Sequence, residues 1–194
     1  MHTWARTVPA TMGAVALAVA LTGCGNLGPG KGSGSPSPET KTAYQLGEAS
    51  PPQKSHMQKT ANSTFTVTPT KVQTGTKADM DNSGLEKKKG EKPTIPVYVW
   101  STLTHKSGQA LDINDMDSDL IVRTNGGQRT RALIVIMGDA KWPNCPAPDS
   151  EKKLSAGQSE KICTAFLIPE GQKAAAVELS QGFQAAPLEW PVKN

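Results

Sequence analysis

The segment Ile95-Pro96-Val97-Tyr98-Val99-Trp100-Ser101-Thr102-Leu103-Thr104 decides how this chain folds. Ile95, Val97 and Val99 fall on one side at period two, and Leu103 returns to it, while Tyr98 and Trp100 fall on the other. Successive side chains of a strand point to opposite faces, so both faces here carry apolar groups. That predicts a central strand, one face in a core between two sheets and the other covered by a loop. His105-Lys106-Ser107-Gly108 reads as the turn that ends it, which makes His105 a turn residue and not a ligand.

Short strands continue on both sides. Thr64-Phe65-Thr66-Val67-Thr68 alternates with period two, and Pro69 predicts an edge or a bend. Asp119 to Thr124 and Arg129 to Met137 read as a hairpin across Asn125-Gly126-Gly127, whose residues accept the positive φ of a tight reversal. Leu133-Ile134-Val135-Ile136 is apolar on both faces and is expected to be deeply buried. Lys161 to Ile168, Ala174 to Leu179 and Pro187 to Val192 supply three more strands. The sum is about seven strands, and the expected fold is an all-β antiparallel sandwich of immunoglobulin type, with a barrel as its rival.

The amino terminus gives an address. Arg6 and the Met1 amine precede an apolar stretch from Ala10 to Leu21, and Leu21-Thr22-Gly23-Cys24 has the pattern of a bacterial lipobox. The expectation is that residues 1–23 are a lipoprotein signal peptide and that Cys24 carries membrane lipid. An ordinary export signal cut after Ala18-Val19-Ala20 is the alternative. Residues 24–58, rich in Gly, Ser and Pro, read as a flexible tether, and 59–194 as the folded domain.

With Cys24 acylated, Cys145 and Cys163 remain as an even pair in an oxidising compartment, and a disulfide between them is expected. Formal charge is +4 for the chain, and removal of Arg6 with the signal leaves +3. The positive residues mix with acids, as in Glu86-Lys87-Lys88-Lys89-Gly90-Glu91-Lys92, and few aromatics accompany them, so a nucleic-acid partner is excluded. An envelope protein or glycan is the expected partner class.

The strand around Val97-Tyr98-Val99-Trp100-Ser101-Thr102-Leu103-Thr104-His105-Lys106-Ser107-Gly108, with Asp119-Leu120 and Phe166-Leu167-Ile168-Pro169-Glu170-Gly171, resembles a known group. It is similar to the immunoglobulin-like domains of actinobacterial surface lipoproteins of unknown function, related to the secreted mycobacterial immunogenic protein family. The resemblance spans roughly Phe65 to Val192. It implies an extracellular sandwich with no assigned chemistry and no active-site residues to carry over. Where that group has asparagine after the central strand, this chain has His105.

Other motifs carry less. The acidic run Asp112-Ile113-Asn114-Asp115-Met116-Asp117-Ser118-Asp119 could offer oxygen ligands to calcium, but Leu120 and Gly126 stand where an EF-hand loop wants glycine and glutamate. Its acids are expected to face water. Ser150-Glu151-Lys152-Lys153 has the Ser-x-x-Lys spacing without its companion motifs. Trp142, in the stiff segment Trp142-Pro143-Asn144-Cys145-Pro146-Ala147-Pro148, is expected either to lie over the end of the sandwich as a lid or to serve as a partner contact. No catalytic residue, metal or cofactor is expected; an envelope hydrolase, a metal-binding or ligand-delivery protein using 112–119, or a sensor for a membrane partner are the rival functions.

Overall fold

The central strand forms as expected and runs longer, as β3 (Thr94–Ser107) in a computed structural model that describes residues 41–86, 90–135, 140–149 and 151–193. The signal segment, Cys24, the first part of the tether, Ile136, Met137 and Ser150 lie outside the described residues. The remaining elements are β1 (Gln53–Lys54), β2 (Thr64–Thr74), α1 (Lys77–Asp81), β4 (Leu111–Asp112), α2 (Ile113–Asp117), β5 (Leu120–Thr124) and β6 (Arg129–Arg131). They continue as β7 (Lys153–Leu154), β8 (Ser159–Pro169), β9 (Ala174–Leu179) and β10 (Leu188–Pro191).

Two four-stranded antiparallel sheets, ordered β1-β2-β3-β8 and β10-β9-β5-β6, make an all-β sandwich, with β4 and β7 as a small separate pair. Val97, Val99 and Leu103 of β3 are fully buried between the sheets with Val67 of β2 and Phe166 and Ile168 of β8. Leu120, Val122, Val177, Leu179 and Trp190 meet them from the other sheet, and Ile113 and Met116 of α2 join the same cluster. Each fully buried side chain of this size stabilises the fold by about 1.5–3 kcal/mol.

Pro69 does not end its strand. It lies within β2, and the register jumps from Pro69 opposite Ser101 to Lys71 opposite Trp100. Proline has no N–H for the ladder, and a bulge absorbs the defect while Thr70 donates its hydroxyl to the Trp100 carbonyl (3.1 Å).

Three expectations are corrected. Residues 41–58, read as tether, lie on the sandwich from Lys41 onward. Ala43 bridges Glu189 in parallel, Tyr44 packs 5.4 Å from Trp190 ring to ring, and the Trp190 indole donates to the Glu48 carbonyl (2.9 Å). After a turn at Gly47 (φ 93°) the chain doubles back along β2, where Val67 N donates to Ser50 Oγ (3.0 Å) and Gln53 pairs with Phe65. Few apolar residues suffice because the partners supply the core. Second, Leu133 to Val135 are not deeply buried, and Ile134 is 81% exposed. β6 stops at Arg131 and the chain crosses to the other sheet, where Ala132 bridges Phe166 and Leu133 N donates to the Ala165 carbonyl (2.9 Å). Third, His105 is not a turn residue but a fully buried part of β3, its ring nitrogens 2.9 Å and 2.8 Å from the Leu154 and Ser107 carbonyls. The turn comes later, at Gly108 (φ 97°), where a Cβ would collide with Ser63 Cα at 2.5 Å.

Candidate functional site

The second face of β3 builds the candidate site. Tyr98 and Trp100 point away from the main core, as do Cys163, Ala165 and Leu167 of β8. Thr76 and Asp79 start α1 by a reciprocal capping box, with Asp79 N donating to Thr76 Oγ1 (3.1 Å) and Thr76 N to Asp79 Oδ2 (2.7 Å). This helix lowers Met80 onto the sheet. Lys141 N then donates to the Ser83 carbonyl (2.8 Å), which brings Trp142 and Cys145 over the same face.

Cys145 and Cys163 are bonded to each other, with Cα atoms 5.2 Å apart. Trp142 is buried (8% exposed), its ring 5.8 Å from Tyr98 in an edge-on arrangement. It is a lid of this cluster, and so little exposed surface makes a poor anchor for a partner. Tyr98 has its hydroxyl pushed up to about 12, by burial first and then by the Asp79 carboxylate. Lys71 sits 4.2 Å above Trp100, where the ring face attracts its charge.

Beside this cluster lies a cavity of about 380 Å³. Met80, Leu85, Leu133 and Leu167 supply apolar lining, while Lys77, Lys92, Glu86, Glu91 and Glu170 add charge of both signs. Its size and mixed lining suit a small amphipathic group, although Lys77 is already paired with Asp81 (2.8 Å). Sequence reasoning missed it, because its lining comes from five separate stretches of chain. Tyr98 and Trp100 on the non-core face of β3 were the available signal.

The acidic run does not converge. Ile113–Asp117 folds as α2, with Ile113 and Met116 inward. Asp112 turns to Lys153 (3.4 Å) and Asp119 to His56 (3.0 Å). Asp117, expected to face water, is instead buried and accepts the Thr164 hydroxyl (2.9 Å). Burial pushes its carboxyl up to about 6, against the opposing pull of that hydrogen bond. Asp115 is also raised, by burial and then by Asp112. Among the described residues no group of three or more His, Cys, Asp or Glu is placed to hold a metal ion. Lys153, the last residue of the Ser-x-x-Lys spacing, is taken up by Asp112.

No family model and no curated protein matches the chain. Among solved structures the fold is similar to that of MPT63, a secreted protein from Mycobacterium tuberculosis, with a TM-score of 0.51 and 12% identity over 79% of this chain and 99% of that one. At that identity the likeness concerns the fold alone, and it supports the sandwich assignment. Among the described residues no helix is long and apolar enough to cross a membrane.

Proposed function

We propose that this chain is an extracytoplasmic binding or scaffolding domain, without catalysis of its own, held at the outer face of the cell membrane by lipid on Cys24. The bonded pair Cys145 and Cys163 carries the reading. Disulfides persist in oxidising compartments, and of three cysteines the pairing leaves Cys24 over, at the end of a lipobox pattern. That the similar MPT63 fold belongs to a secreted protein supports the same direction.

Mass analysis of the mature amino terminus tests the anchor. The expected species begins at Cys24, carries a diacylglyceryl group and partitions with membranes, whereas Cys24→Ala partitions into the aqueous phase. A mature chain with an unmodified thiol, recovered wholly in water, overturns the reading. Crosslinking in intact cells then identifies what the domain holds. The cavity beside Met80 and Leu167 favours a second reading, ligand delivery, which small amphipathic molecules co-purifying with the protein would support.

A further inference from the structure

One end of the sandwich gathers features that the anchor alone does not explain. Residues 42–44 run parallel to β10, with Glu189 N donating to the Thr42 carbonyl (2.7 Å) and Tyr44 N to the Glu189 carbonyl (2.8 Å). Tracing back from Ala43 therefore leads toward the start of β10 and the 180–187 loop that precedes it. The first described residues thus lie at that end. Gln181 donates to Gln53 (2.8 Å) and His56 lies 3.0 Å from Asp119, which fixes the 53–60 segment beside the same loop.

Two of the three exposed large apolar side chains among the described residues stand here. Phe183 is 108% exposed, next to Gly182 at φ 86°, and Met57 is 51% exposed. Lys54, Lys59 and Lys106 lie at this end with no ion-pair partner among the described residues, Lys106 being brought in where Ser107 pairs with Thr64. Of the carboxylates nearby, Asp112 pairs with Lys153 (3.4 Å), which also acts on Asp115, Glu160 pairs with Lys152 (2.6 Å), and Asp119 lies 3.0 Å from the His56 imidazole, so five lysines at this end stand against four carboxylates.

We infer that this end is a membrane-docking surface, in which Phe183 and Met57 enter the interface of a bilayer and the three lysines meet anionic headgroups. Exposed apolar side chains with an excess of lysines at the same end are what an anionic bilayer surface binds. The position of the anchor selects a bilayer over other partners. Sixteen residues, 25–40, separate Cys24 from Lys41, and even fully extended they span no more than about 60 Å. A contact that is weak by itself is then made at high effective concentration. The inference rests on the proposed acylation of Cys24 and extends it from a point of attachment to an orientation.

Hydroxyl-radical footprinting reads Met57 and Phe183 directly. The full chain is coupled through its Cys24 thiol to a maleimide lipid in phosphatidylglycerol vesicles, Cys145 and Cys163 being already bonded to each other. Ile134, 81% exposed where the chain crosses to the β8 edge, serves as internal reference. Oxidation of Met57 and Phe183 is expected to fall about tenfold against Ile134, the factor for a contact occupied nine-tenths of the time. It is expected to recover on phosphatidylcholine vesicles and in the combined variant Lys54→Glu, Lys59→Glu, Lys106→Glu. Equal oxidation on both vesicle types overturns the inference. So does protection that grows with protein concentration in the absence of vesicles, which would assign this end to a second copy of the chain. Because the coupling places the chain on the bilayer whether or not cells acylate it, a negative footprint counts against the docking surface and the amino-terminal mass counts against the anchor.

Discussion

The two sheets cover their outer faces by opposite means. On β1-β2-β3-β8 the cover is apolar: Met80, Trp142 and the Cys145–Cys163 bridge lie over Tyr98. On β10-β9-β5-β6 the cover is ionic. Glu178, only 3% exposed, accepts from Arg123 (2.7 Å) and Arg129 (2.6 Å), and Arg123 also reaches Glu189. The arginine stems shield the sheet while their heads stay partly in water. An apolar lid made of short helix and loop has few contacts of its own, so a covalent link holds it; an ionic cover grows from the strands and needs none.

Breaking the covalent link has the largest expected effect. Cys145→Ser with Cys163→Ser, or reduction of the parent, is expected to lower stability by about 3 kcal/mol in urea unfolding, from the 18-residue span the bridge closes. Hydrogen exchange is expected to show residues 77–85 and 140–149 opening before β5 and β9. If both sheets open together, the contrast fails.

Asp117 sharpens the comparison from inside. It is a buried carboxylate like Glu178, but it has the Thr164 hydroxyl where Glu178 has two guanidinium groups. Its folded pKa, about 6, lies above the usual 3.8, so the folded state binds the proton more tightly than the unfolded one. Its favourable contribution is full below about 4 and is lost as pH rises through about 6, a swing of about 2 kcal/mol after allowance for residual hydration. Asp117→Asn is expected to flatten that part of the stability profile between pH 4 and 7 and to stabilise the protein at pH 7. An unchanged slope in urea titrations across that range would count against it.

Glu178→Gln removes the charge between the two arginines. A fully buried pair broken in this way costs about 3–5 kcal/mol, but both arginines reach water here, so roughly 1.5 kcal/mol is expected in the same unfolding assay. Lys71→Ala, which uncovers Trp100, is expected to cost only about 0.5 kcal/mol, with a change in tryptophan emission as the clearer signal.

The sandwich was legible where alternation is strong. β3, β8 and β9 could be read from residues alone, because both faces of β3 are covered and both therefore carry apolar side chains. The disulfide followed from the count of cysteines. What escaped has non-local causes. The 41–54 segment carries Tyr44 and Leu46 as sparse apolar residues in a polar stretch, and its order comes from Trp190, Val67 and Glu189, more than a hundred residues away in two cases. Leu133 to Val135 look like core but cross between sheets, and apolar content does not report a crossing. α1 and α2, at five residues each, are too short for helical periodicity to register. Among the site residues, Trp142 was open between a lid over the sandwich end and a partner contact, and it lies instead over the outer face of β3, against Tyr98, while the cavity needed side chains from distant segments to be seen together.

The path of the chain from Lys41 to Lys54 sets how this molecule would answer a mechanical load. A pull directed along β10 would load the bonds of Thr42 and Tyr44 to Glu189 in shear together and not peel them one at a time. Behind them the Trp190 indole grips the Glu48 carbonyl, and the reversal at Gly47 must unroll before tension reaches β2. Force in that direction would meet this short belt before it reached the paired sheets.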